Sequence, residues 1–142
     1  MKMRELLKEK GRDITTIEAE AGIIEAAQRM ADRKIGALMV EDEGRMGGII
    51  TERDIVTAMA RMECEFKGLR VRDIMIKSEN LIVAELDDNE DQVMAVMIRK
   101  NIRHMPIVES RELAGLVSIR DVVRAHVERL KAQVRFLTGF VE

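Results

Sequence analysis

The chain is written twice. Superposed at an offset of 67 without gaps, residues 15–61 and 82–128 are identical at eight of 47 positions. Met30 matches Met97, Ile35 matches Ile102, Gly48 matches Gly115, Val56 matches Val123, and the pair Arg53 and Asp54 matches Arg120 and Asp121. Most other pairs at strand positions exchange one aliphatic side chain for another. An internal duplication obliges both copies to form the same supersecondary unit. A unit of roughly 50 residues cannot bury a sheet face and two helices by itself. Two such units packed about a pseudo-twofold axis can.

Periodicity gives the unit as β-α-β-β-α. In the first copy, residues 13–17 are a short β-branched strand, and Ile23, Ala26, Ala27 and Met30 follow helical spacing. Residues 35–40 and 46–50 form a hairpin about the acidic turn 41–44, and a helix runs from Glu52 to Ala60. The order recurs with a strand at 81–84, a helix at 90–99, a hairpin of 105–108 and 113–117, and a helix after Ser118. The expected class is therefore α+β. The expected divisions are an N-terminal helix and lead-in at 1–12, a first repeat at 13–63, a charged connector at 64–73, a second repeat at 74–130 and a helical extension at 131–142. Leu6 and Leu7 are the apolar contribution of the first helix. In the last helix Val123, Val127, Leu130, Val134 and Leu137 make a stripe at heptad spacing. Packing against Leu6 and Leu7 and contact with a second subunit are both open for that stripe.

The best-preserved stretch runs from Gly48 to Ile55 as GIITERDI and from Gly115 to Val122 as GLVSIRDV. It is a strand-to-helix turn with Thr51 or Ser118 at the N-cap and Asp54 or Asp121 at the third helical position. Peptide N–H groups, a hydroxyl and an acceptor-only carboxylate meet there, which suits a sugar or a phosphate. The same pattern is also a plain capping box, which starts helices with no ligand involved. Its repetition in register favours the ligand.

Composition narrows the partners. With a net charge of −2 the chain has no general attraction for nucleic acid or anionic lipid. It has no apolar run of membrane-spanning length, its charged start is unlike a signal peptide, and its single cysteine, Cys64, forms no internal disulfide. A cytoplasmic protein is expected. Neither Trp nor Tyr occurs, so a flat ligand would lie between aliphatic groups. Cys64 has no His near it in sequence and is a poor nucleophile candidate. The acids of residues 87–91 suit a first helical turn and lack the glycine and final Glu of a calcium loop. His126 falls on the outer helix, as a structural residue. No catalytic residue, metal site or cofactor is expected.

Together, the two GhhT/SxxD motifs and the stretch from Ile102 to Val108, IRHMPIV, resemble a pair of CBS (cystathionine β-synthase) domains over about residues 12–130. The opening LLKEKGR and the phrase GIITERDIV are similar to stand-alone bacterial and archaeal two-CBS proteins. The resemblance implies a regulatory module, often dimeric, that senses AMP, ADP, ATP, NAD or S-adenosylmethionine in clefts between its repeats and acts on a protein target that the sequence does not identify. It further implies that the motif Asp takes ribose hydroxyls, with the Thr or Ser and the preceding Arg near phosphate. Carried over, one site combines Thr51, Arg53 and Asp54 with Val83, Ile102, Arg103 and His104, beside Met105 and Pro106. The other combines Ser118, Arg120 and Asp121 with Thr16, Ile35, Gly36 and Ala37. Pro106 meets the family pattern in its strand, whereas Met39 stands at that position in the first repeat. Arg103 and His104 make the Asp54 site the better one for phosphate-rich ligands. The competing expectations are an interaction module with no small-molecule ligand and, last, a small enzyme.

Overall fold

A computed structural model describes residues 1–141, and the side chains of all of these but Cys64, Phe140 and Val141. The elements are α1 (Met3–Lys10), β1 (Thr16–Glu18), α2 (Ile23–Arg33), β2 (Ala37–Asp42), β3 (Arg45–Thr51), α3 (Glu52–Met62), α4 (Val71–Ile74), β4 (Ile76–Lys77), β5 (Ala84–Glu85), α5 (Glu90–Lys100), β6 (His104–Glu109), β7 (Glu112–Ser118) and α6 (Ile119–Val141). The mixed α+β class and the doubled β-α-β-β-α order stand as expected. Cys64 as a nucleophile candidate lies outside the described side chains.

The repeat extends to fine detail. β1 lies parallel to β2 and β2 antiparallel to β3, as β5 does to β6 and β6 to β7. Both hairpins shift register at matching points, Val40/Glu41 and Ile107/Val108. Both turn through two residues of positive φ, Glu43 and Gly44 in one, Ser110 and Arg111 in the other, as the twist of a two-residue hairpin demands. α2 and α5 both end on a left-handed residue, Lys34 and Asn101.

The chain forms two compact units, and their boundaries differ from the division expected from sequence. One unit is Ile14–Leu81; the other joins Met1–Asp13 to the chain from Ile82 onward. The charged segment 64–73 is no free connector. Its Phe66 and Val71 are buried with Ile17, Ile23, Leu38, Ile50 and Ile55 in the core of the first-repeat unit. Residues 74–81, expected to open the second repeat, instead complete the first-repeat unit, where β4 pairs with β3. The N-terminal helix belongs to the core of the second repeat, with Met3, Leu6 and Leu7 buried among Val93, Met97, Met105, Ile107 and Val122.

These two lead-in segments are themselves copies, at an offset of 68. Met3 and Arg4 donate backbone N–H groups to Asp88 O and Leu86 O, each at 2.9 Å, and Val71 and Arg72 donate to Ala21 O at 2.8 Å and Ala19 O at 2.9 Å. Arg4 reaches the Asp87 carboxylate at 3.0 Å, and Arg72 reaches that of Glu20 at 2.6 Å. The acids at 87–91 are thus partly committed, since Asp88 also accepts the Glu85 N–H at 2.8 Å. In the last helix Val122 and Ala125 pack with Leu6 and Leu7. The stripe from Val123 to Leu137 does not; its members stay 40–65% exposed. One position breaks the symmetry inside a core: Ile23 is matched by Glu90, 1% exposed, with Arg129 Nε at 2.5 Å from its carboxylate. A buried carboxylate needs such a counter-charge.

The motif glycines exist for the lead-ins. A Cβ on Gly48 would lie 2.0 Å from Ile76 O in β4, and one on Gly115 would lie 2.6 Å from a Leu7 methyl of α1. Gly48→Ala meets rigid backbone and is expected to cost about 3 kcal/mol, the upper end of overpacking, while Gly115→Ala meets a side chain that can turn and costs nearer about 1 kcal/mol. Urea unfolding of the two variants checks this order; equal losses would contradict it.

Candidate functional site

Each motif lies where a strand feeds a helix, beside the turn that opens the middle strand of its own repeat. In the first-repeat unit Ala37 pairs with Thr51 across β2 and β3, and Gly36 O accepts the Glu52 N–H at 3.0 Å. In the second-repeat unit His104 pairs with Ser118 across β6 and β7, and Arg103 O accepts the Ile119 N–H at 2.7 Å. Ile35 and Ile102 close the preceding helices, donating to Met30 O and Met97 O, each at 3.0 Å. Thr16 opens β1, and its carbonyl accepts from Arg29 at 2.6 Å. Met105 and Pro106 face Val117 and Leu116 in the ladder, both buried. Val83 precedes β5 and is 41% exposed. Of the expected combinations, then, Thr51, Arg53, Asp54, Thr16, Ile35, Gly36 and Ala37 share the first-repeat unit. Val83, Ile102, Arg103, His104, Met105, Pro106, Ser118, Arg120 and Asp121 share the second.

Both capping boxes are formed. Asp54 Oδ2 accepts the Thr51 backbone N–H at 2.9 Å and its hydroxyl at 3.0 Å, while the Asp54 N–H donates back to Thr51 Oγ1 at 3.3 Å. Asp121 Oδ2 accepts the Ser118 N–H at 2.8 Å, and the Asp121 N–H donates to Ser118 Oγ at 3.2 Å. Among the described residues, every hydrogen bond to either carboxylate falls on Oδ2. Capping uses Oδ2 of each and not Oδ1, and a vicinal diol supplies two donors for such an oxygen.

The second motif carries an addition that sequence reasoning missed. Lys10, at the end of α1, donates to Asp121 Oδ2 at 2.6 Å and to Leu116 O at 2.6 Å. Burial raises the Asp121 carboxyl, but the Lys10 ammonium and the Ser118 N–H outweigh it and hold the group below its ordinary value. The signal for Lys10 lay upstream of the superposed stretch, where Arg4-Glu5 matches Arg72-Asp73 only at the offset of 68.

An open polar groove of about 650 Å³ lies elsewhere, at the hairpin end of β2 and β3. It is lined by Asp42, Arg45, Arg72 and Lys77. Thr51 ends β3 at the far end of that ladder, so the groove is no part of the motif. Among the described residues, no helix is long and apolar enough to cross a membrane, and no group of His, Cys, Asp and Glu is placed to hold a metal ion.

Known proteins share this fold. A CBS-domain containing protein from Agrobacterium tumefaciens is 38% identical with a TM-score of 0.84, over 89% of this chain and 99% of that one. The CBS domain pair of protein MJ0100, solved in complex with 5′-methylthioadenosine and S-adenosyl-L-methionine, is 29% identical with a TM-score of 0.76, over 91% of this chain and 98% of that one. The mitochondrial CBS domain-containing protein CBSX3 of Arabidopsis thaliana is 31% identical over 84% of this chain. The chain spans 60% of that relative's length, and 66% and 37% of curated relatives from Acidianus ambivalens and Thermofilum pendens. The model of the CBS domain matches residues 6–61 and again 71–128, and with two thirds and more of its length inside those matches the chain belongs to the CBS-domain family.

Proposed function

We propose that this chain is a regulatory module that binds adenosine-containing ligands at its two motif carboxylates and catalyses no reaction of its own. The observation that carries this reading is the division of labour within Asp54 and Asp121: Oδ2 caps the helix, and Oδ1 is left to accept ribose hydroxyls. The adenosyl compounds bound by the MJ0100 domain pair support the ligand class, which runs from AMP, ADP and ATP to NAD and S-adenosylmethionine. Arg53 and Arg120 stand next to the carboxylates in sequence and on a helix N-terminus, where a phosphate is favoured by about 0.3–1 kcal/mol before any guanidinium contact.

Calorimetric titration of AMP into the whole chain is expected to show two events, the tighter removed by Asp54→Asn and the weaker by Asp121→Asn. Asn keeps a polar side chain in the capping turn, so the helix start survives. Loss of a charged acceptor should weaken the affected site about tenfold or more. Unchanged binding in the double variant would remove the reading and leave the interaction module without a ligand.

Absorbance offers a simpler check. With neither Trp nor Tyr the protein absorbs little near 280 nm, so a freshly purified sample carrying nucleotide is expected to peak at 260 nm. Acid extraction and chromatography then name the compound; failure of every adenosyl compound to bind at millimolar concentration would contradict the proposal.

The module is further proposed to act as a homodimer, with the exposed α6 stripe as its contact. Sedimentation at micromolar concentration is expected to give twice the 16.2 kDa chain mass; a monomer throughout would contradict it.

A further inference from the structure

The second motif carries a lysine on its capping carboxylate, and that lysine comes from a lead-in. α1 continues for eight residues, whereas its copy α4 stops after four and leads into β4. The sequences account for this. Leu6 to Lys10 is an unbroken run of good helix formers, while the β-branched Ile74 and Ile76 favour extended chain. The copy of Lys10 at the offset of 68 is therefore Ser78, which lies in a 3-10 turn, Ser78–Asn80. α1 is fixed over the second motif by Leu7, fully buried and seated on Gly115. Its last turn brings the Lys10 ammonium to Asp121 and Leu116 O, with the two side chains 36% and 18% exposed.

We propose that Lys10 gates the second motif: with the ammonium on Oδ2, Asp121 is a weaker acceptor for a ligand's ribose hydroxyls at Oδ1 than Asp54 is. This rests on the proposed ribose role of the motif carboxylates. In the first motif the side-chain donor on Oδ2 is the hydroxyl of Thr51, which rotates away at little cost. In the second it is a cation, and charge-assisted bonds are roughly twice as strong as neutral ones. An ion-paired carboxylate is also a poorer acceptor for an incoming hydroxyl. The gate makes Asp54 the first site to fill.

Equilibrium dialysis with AMP tests the gate in an Asp54→Asn background, where only the second motif remains. Lys10→Met keeps length and helix propensity and is expected to lower the dissociation constant about tenfold, equivalent to about 1.4 kcal/mol. Lys10→Arg keeps the charge and is expected to leave the weak binding in place. Equal affinity with and without Lys10, or weaker binding in Lys10→Met, overturns the gate. If Asp54→Asn/Asp121→Asn binds as tightly as Asp54→Asn alone, the ribose role itself is wrong. A measurement without ligand separates the two failures. Carboxyl NMR is expected to find Asp121 titrating below the ordinary aspartate range in the native chain and moving upward in Lys10→Met, because burial then acts with less opposition. No movement overturns the gate whatever binds.

Discussion

The contact on which the rest depends is the close seating of a lead-in segment against a motif glycine. At Gly48 a neighbouring backbone carbonyl occupies the space a side chain would take, and at Gly115 the occupant is Leu7. That seating completes each hydrophobic core with residues from a distant part of the sequence: Phe66 and Val71 in one unit, Met3, Leu6 and Leu7 in the other. It also sets the position of the strand that ends on the N-cap residue, Thr51 or Ser118. Each repeat therefore depends on the segment that introduces the other repeat in sequence. Matched main-chain bonds at Met3, Arg4, Val71 and Arg72 hold both lead-ins in the same way.

In the function proposed for Asp54 and Asp121, helix capping and ligand binding use one side chain for two purposes. An N-cap box needs a single carboxylate oxygen, and an aspartate has two. Fixing Oδ2 on the N-cap N–H orients the carboxylate without consuming Oδ1, so the acceptor is held in place before any ligand arrives. Such preorganisation lowers the ordering cost of binding. It also explains why a glutamate would serve less well at Asp54 or Asp121, since its longer side chain would cap with more freedom.

Much of this was legible in the sequence. Short β-branched and apolar runs and helical spacing placed every element of both β-α-β-β-α repeats to within a few residues, and the duplicated GhhT/SxxD stretch located both capping turns. The lead-ins were not legible in the same way. The segment from Arg61 to Arg70 is charged at every second or third position and reads as a connector, yet tertiary packing buries its Phe66 at 5% exposure. Leu6 and Leu7 declare an amphipathic helix but not the core that receives it. The exposed α6 stripe has the converse problem, because spacing shows an apolar face without saying what covers it. Lys10 is hardest of all: a long flexible cation in a charged helix has no pattern of its own, and its importance comes from the 2.6 Å contact with Asp121.

The central claim is that the motif carboxylates are ribose acceptors as well as helix caps. Crystals of the whole chain grown with AMP test it most directly. The account predicts nucleotide at the Asp54 motif, its ribose hydroxyls donating to Oδ1 while Oδ2 retains the Thr51 N–H. Nucleotide bound with its ribose away from both Asp54 and Asp121 would contradict it.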